Sequence, residues 1–284
     1  MFKPESIAKA ELKGAFRRAT DRYELFMKKV RTGVVKFGSR KNHLRYVEEL
    51  VRCRGEFLLD QRVCHNHASW HFHSVMTSLD TFFQNIEGIG NVVRLVIDGW
   101  DSRKIMKGDK RGLQRLLTRL FVHEHFLIRA VQRFGLEGLK GLGKQVFPLF
   151  SYILRENLSF RLLGKSVHFV MPDYVLVAEK LPNSYGLVFK TILLRDRFSE
   201  QQLIQYQAAY QRMFNNKSDC VMFNRDTGHL ISLHFNEQGI NQTLLKESFW
   251  IRDIFTELEQ LHIPAHREQP FRLNVNTYSR HFSR

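Results

Sequence analysis

The stretch Phe72-His73-Ser74-Val75-Met76-Thr77-Ser78-Leu79-Asp80-Thr81-Phe82-Phe83-Gln84-Asn85-Ile86 decides how the first half of this chain is read. Phe72, Val75, Met76, Leu79, Phe83 and Ile86 recur at helical spacing and share one face of a helix. Gly88-Ile89-Gly90 ends the pattern. Read so, this is the third helix of a helical N-terminal half. Just upstream, residues 62–73 hold Cys64, His65, His67, His71 and His73, the densest set of ligand-type side chains in the chain. If the helix reaches back to His67, then His67 and His71 lie on one side, four residues apart. That spacing suits a metal. However, Ala68 stands where a zincin motif needs its glutamate, which excludes that motif. A third ligand would have to come from Cys64, His65, His123 or His125, and no metal site is assigned.

Arg62, four intervening residues and His67, set in a helical region, resemble the pattern of HEPN-type ribonucleases. The resemblance covers only these two residues, and Val63 stands where that family usually carries a polar one. It implies that the arginine stabilises phosphate charge while the histidine does acid–base chemistry. Arg62, His67 and His71 are therefore the candidate catalytic residues of a nuclease reading, with or without metal.

Working back to the N-terminus, Ile7, Leu12, Phe16, Ala19, Tyr23, Phe26 and Val30 predict an amphipathic helix over residues 5–31. Its opposite face carries Lys13, Arg17, Arg18, Arg22, Lys28 and Lys29. A connector with Lys36, Arg40 and Lys41 follows, offering cations to a phosphate. A second helix starts near Asn42 and buries Leu44, Val47, Val51 and Leu58, with Gly55 weakening it by roughly 1 kcal/mol relative to Ala.

Working forward, residues 91–98 fit both a short strand and a buried helical turn. Residues 100–111 read as a basic loop with Arg103, Lys104, Lys107, Lys110 and Arg111. Leu113, Leu116, Leu117, Leu120, Phe121, Leu127, Ala130, Val131 and Phe134 predict a helix over residues 111–134. The glycine-rich residues 135–145 read as a helix end and linker. Gly138, Gly143 and Lys144 imitate a P-loop, but Gln145 replaces the Ser or Thr that would ligate magnesium, and no strand precedes them.

Residues 146–160 read as a buried helix. After it the period becomes extended: strands at 167–170, 174–178 and 187–194, then a capping box at Ser199 and Gln202 opening a helix with Leu203, Tyr206, Tyr210 and Phe214. A hairpin over 219–235 turns at Asp226-Thr227-Gly228, and a last helix is expected over 241–261. Pro172-Asp173, Glu179 and Lys180 miss the spacing of a PD-(D/E)xK nuclease, because adjacent strand residues point to opposite faces. The expected fold is α+β: a basic helical region over 1–145, a mainly antiparallel sheet with helices in the order β-β-α-β-β-α over 146–261, and a basic tail over 262–284.

Charge supplies the functional expectation. The chain has 284 residues and a net charge of +16. Residues 1–50 hold 13 basic and 6 acidic residues, and residues 101–150 hold 11 and 4. Two such blocks attract polyanions, nucleic acid first. Lys13, Arg17, Arg18, Arg22, Lys36, Arg40, Lys41, Arg103, Lys104, Lys107, Lys110 and Arg111 are the expected phosphate contacts, giving affinity without sequence choice. A nuclease or a protein-interaction scaffold within a nucleoprotein assembly are the alternatives. Three unpaired cysteines, a start without a signal-peptide core and no apolar run of roughly 18 residues fit a cytoplasmic protein without a transmembrane segment.

Overall fold

A computed structural model describes residues 3–31, 39–65, 72–107, 113–155, 165–181 and 186–235. Two helices open it, α1 (Glu5–Arg31) and α2 (Arg40–Arg54). On α1 the three-four spacing works as expected: Ala8, Leu12, Phe16, Ala19 and Phe26 are buried, while Lys13, Arg17, Arg18 and Arg22 are exposed. Ser39 caps α2, and Gly55 stops it with φ at 51°, a backbone region that favours glycine. Leu58, expected on this helix, instead begins the strand β1 (Leu58–His65).

Residues 72–86 depart from the helical expectation. They form the strands β2 (Phe72–Leu79) and β3 (Gln84–Ile86). Along β2 adjacent residues are buried, including Met76, Thr77, Ser78 and Leu79, so both faces are covered and the period-two signal is erased. Val75 and Thr77 are β-branched, and such side chains suit a pleated surface. Residues 91–98 resolve as part of the strand β4 (Gly90–Asp101). The expected loop after Trp100 contains the short helix α3 (Ser102–Met106). The helix expected over 111–134 splits into the strand β5 (Leu113–His123) and the start of α4 (Glu124–Arg155). In β5 the alternation of Arg115, Leu117 and Arg119 with Leu116, Thr118 and Leu120 was hidden by leucines on both faces.

The expected linker over 135–145 is also helical. Helix α4 runs through it with a kink at Gly135, whose φ is 73°, and continues through the buried segment expected after it. A Cβ at Gly143 would lie 2.6 Å from Leu59 Cδ2, so this glycine lets α4 approach β1 closely. The second half follows its sequence well: β6 (Ser166–Val170), β7 (Tyr174–Lys180), β8 (Leu187–Leu194), α5 (Glu200–Asn216), β9 (Cys220–Asn224) and β10 (Leu230–Leu233). The Ser199–Gln202 capping box is formed. The helix expected over 241–261 and the tail over 262–284 lie outside the described residues.

The strands form one ten-stranded sheet in the order β1-β2-β4-β5-β8-β7-β6-β9-β10, with β3 beside β4. Among the described residues, two antiparallel halves meet at one parallel pair, β5 with β8. Helices α1 and α4 share a core with strands of both halves through Phe16, Leu95, Leu120, Leu149, Phe169 and Phe189. Helix α2 covers Phe72, Met76 and Trp100, and α5 packs against Val170, Val175 and Val221. The α+β class holds.

One charged pair sits inside this packing. Arg54 Nη2 donates to Asp98 Oδ2 at 2.8 Å, and the Arg54 side chain has no solvent exposure. Arg115 extends the pair, donating to Asp80 Oδ1 at 2.9 Å and lying 3.7 Å from Asp98 Oδ1. Burial alone would lower the Arg115 pKa, but the two carboxylates beside it win and raise it. The Tyr23 ring lies 5.1 Å from the Arg54 guanidinium and 5.9 Å from that of Arg115. Removing one partner of such a pair strands a buried charge. Asp98→Ala is expected to lose about 3–5 kcal/mol of unfolding free energy in urea titration. An unchanged midpoint would show that the pair does not hold α2 to the sheet.

Candidate nucleic-acid interface

The folded chain gathers some of the expected phosphate contacts and separates others. Near the C-terminal end of β4, Tyr46 of α2 stacks on Trp100 with ring centroids 4.1 Å apart. His43, one turn from the start of α2, packs edge-on to Trp100 and Phe72. The Phe72 amide donates to Ser102 Oγ, the first residue of α3, at 2.9 Å. Leu44 and Ile105 pack against the same buried cluster. Helix α2, which opens with Arg40 and Lys41, and helix α3, which carries Arg103 and Lys104 and is followed by Lys107, therefore pack on one apolar cluster.

Asp101 shapes this end. Its Oδ1 accepts from the amides of Arg103 and Lys104 at 3.0 and 3.1 Å, starting α3. Its Oδ2 lies 3.6 Å from both Lys104 Nζ and His73 Nδ1. Lys41, Arg103 and Lys107 are exposed and make no ion pair among the described residues. The first turn of α2 carries no acidic residue. A helix N-terminus favours negative charge, so two cations there add to an electropositive end instead of quenching it. Lys13, Arg17 and Arg18 stand apart. They lie on α1 eight or more residues before Phe26, which meets Tyr46, roughly 12 Å or more along the helix axis. Lys36, Lys110 and Arg111 lie outside the described residues.

The candidate catalytic residues are not brought together by anything described. Arg62 is on β1, opposite Val75 of β2, so the helical setting of the ribonuclease resemblance is not met there. His65 of β1 pairs with Phe72 of β2, so Phe72, which the i, i+4 argument placed on a helix, lies in a strand. His67 and His71 lie outside the described residues. His123 and His125, weighed as distant metal donors, are otherwise engaged. The His123 Nδ1 accepts from the His125 amide at 3.0 Å, which assigns Nε2 as the donor to Ile89 O, also at 3.0 Å. Among the described residues no group of three or more His, Cys, Asp or Glu could hold a metal.

Two polar groupings escaped the sequence reading. One is the Arg54–Asp98–Arg115–Asp80 network, whose signal was an aspartate inside the apolar run Val96-Ile97-Asp98-Gly99-Trp100. The other joins β6 to α5: Tyr206 Oη lies 2.7 Å from His168 Nδ1, and His168 Nε2 lies 3.2 Å from Ser166 Oγ. The spacing matches a nucleophile, base and orienting group. The protons argue otherwise. If Tyr206 donates its one hydroxyl proton to Nδ1, Nε2–H donates to Ser166 and the buried Tyr206 hydroxyl is satisfied, while the half-exposed Ser166 can offer its own proton to solvent. The tautomer that would activate Ser166 leaves Tyr206 with no acceptor among the described residues. This grouping is a structural clamp.

A scan against family models, a search of curated proteins and a search of solved structures each find no match to this chain.

Burial, followed by the charge of Arg225, pushes His168 down to about 4 from its ordinary 6.5. The unfolded chain then takes up the proton first as pH falls, so folding is destabilised between about pH 6.5 and 4. Urea midpoints measured across that window should fall less steeply in His168→Gln than in the wild-type protein. Identical slopes would refute the role given to His168.

Proposed function

We propose that this protein binds nucleic acid through its phosphate backbone, using the basic end formed by α2 and α3. The observation that supports this is that two helices rich in cations, α2 with Arg40 and Lys41 in a first turn without acidic residues and α3 with Arg103 and Lys104, pack on the same apolar cluster around Phe72 and Trp100. Phosphate contacts of this kind carry affinity and orientation, with sequence choice left to other groups. The exposed cations of α1, Lys13, Arg17 and Arg18, extend the attractive field along a second face. Among the described residues no helix is long and apolar enough to cross a membrane. We place the activity in the cytoplasm, a reading supported by the free, buried thiols of Cys53 and Cys220. Burial pushes both thiols up, which keeps them protonated and unreactive.

The test is a salt titration of binding to duplex DNA and to RNA by fluorescence anisotropy. Wild-type affinity should fall steeply and linearly on a log–log plot. Lys41→Gln/Arg103→Gln/Lys107→Gln should flatten the slope on duplex DNA by about 0.9 for each phosphate that is no longer neutralised. Absence of binding at low salt would remove this function.

A further inference from the structure

A cleft of about 490 Å³ lies between helix α4 and β1, the strand at one end of the described order. Leu58, Leu59, Asp60 and Gln61 form its strand side, and Lys140, Lys144 and Phe147 its helix side. Its position follows from Gly143. With no side chain there, α4 rests against Leu59, which brings the flanking Lys140 and Lys144 over the edge of the sheet. The two lysines are one helical turn apart and exposed. Phe147, packed half-buried against the main core, supplies a rigid apolar wall. Gln61 is partly exposed and brings an amide with both donor and acceptor groups.

We infer that this cleft takes one nucleotide of a single-stranded nucleic acid. The inference rests on the nucleic-acid reading and deepens it, because it adds a site that reaches a base. The chemistry divides along the cleft. The ammonium groups of Lys140 and Lys144 hold phosphates on the helix side. An unpaired base enters against Phe147, Leu58 and Leu59, and Gln61 meets its hydrogen-bonding edge. Duplex DNA keeps its bases stacked and paired and cannot offer one to a cleft of this size. The α2–α3 end handles phosphates of either form, whereas the cleft selects a single strand.

The full-length protein can be tested with a labelled single-stranded RNA, a labelled duplex DNA and a labelled polyglutamate peptide. Lys140→Gln/Lys144→Gln should weaken single-strand binding roughly 10-fold and flatten its salt slope by about 1.4, with duplex binding changed less than about 2-fold. Phe147→Leu, with an unchanged circular-dichroism melting curve, should cost roughly 5-fold or more on the single strand without altering the salt slope, since it removes stacking and no charge. Gln61→Ala should change the ranking of homopolymeric single strands. If the lysine variant weakens duplex and single strand equally, the cleft is only part of the general field and the inference falls while the broader function stands. Polyglutamate binding that depends on the two lysines, with no single-strand effect, would reassign the cleft to acidic peptides and overturn the inference. A wild-type protein that binds neither nucleic acid overturns both.

Discussion

The Arg54 guanidinium is closed off from solvent, and its pair with Asp98 joins the end of α2 to the middle of β4. Much of the first half depends on this contact. A buried charge must keep its partner, so the last turn of α2 has one place to stand on the sheet. With that end held, Tyr46 and His43 of α2 meet Trp100. Arg115 and Asp80 bring β5 and the turn after β2 into the same network. Two guanidiniums against two carboxylates leave it neutral in sum, which suits a buried position. The interior of this half therefore uses arginine for structure, while other arginines and lysines, among them Arg17, Lys41 and Arg103, lie exposed.

The two halves are joined by the parallel pairing of β5 with β8, and that pairing needs a long crossover. Helix α4 begins that connection. It leaves β5 at His123, whose ring caps the new helix, bends at Gly135 and passes over the sheet to the edge strand β1. The same helix thus links the halves and forms one wall of the cleft at the sheet edge. The basic end at α2 and α3 lies elsewhere on the first half. The proposed surface is accordingly divided, with a broad phosphate-binding end and a smaller recess that reaches a base.

Legibility followed the range of the determining forces. Helix α1 was readable because one face meets solvent and the other the core, so the three-four spacing survives in the residues. Helix α5 was readable from a local capping box, and the β9–β10 hairpin from Asp226-Thr227-Gly228. Strands β2 and β5 were not readable. Strand β2 is covered on both faces and so loses the alternation that identifies a strand, while in β5 the leucines on the less buried face mask an alternation that is present. The glycines of α4 misled for a related reason: Gly143 serves a close approach to Leu59, a partner more than eighty residues earlier in the chain. At the candidate site, Lys41 and Arg103 were named from the charge blocks, but nothing local indicates that their helices meet.

By itself the sequence determined the α+β class, the amphipathic first helix, the hairpins and helix of the second half, and an excess of positive charge in two blocks. These depend on spacing, capping and composition, which act within a few residues. The tertiary structure decided that residues 72–79 are a strand, that Arg54 finds Asp98, and that α2 and α3 pack on one apolar cluster. Each of these depends on contacts between residues far apart in the chain. In each, the neighbours that cover a side chain or answer its charge choose between conformations that local preference leaves nearly equal.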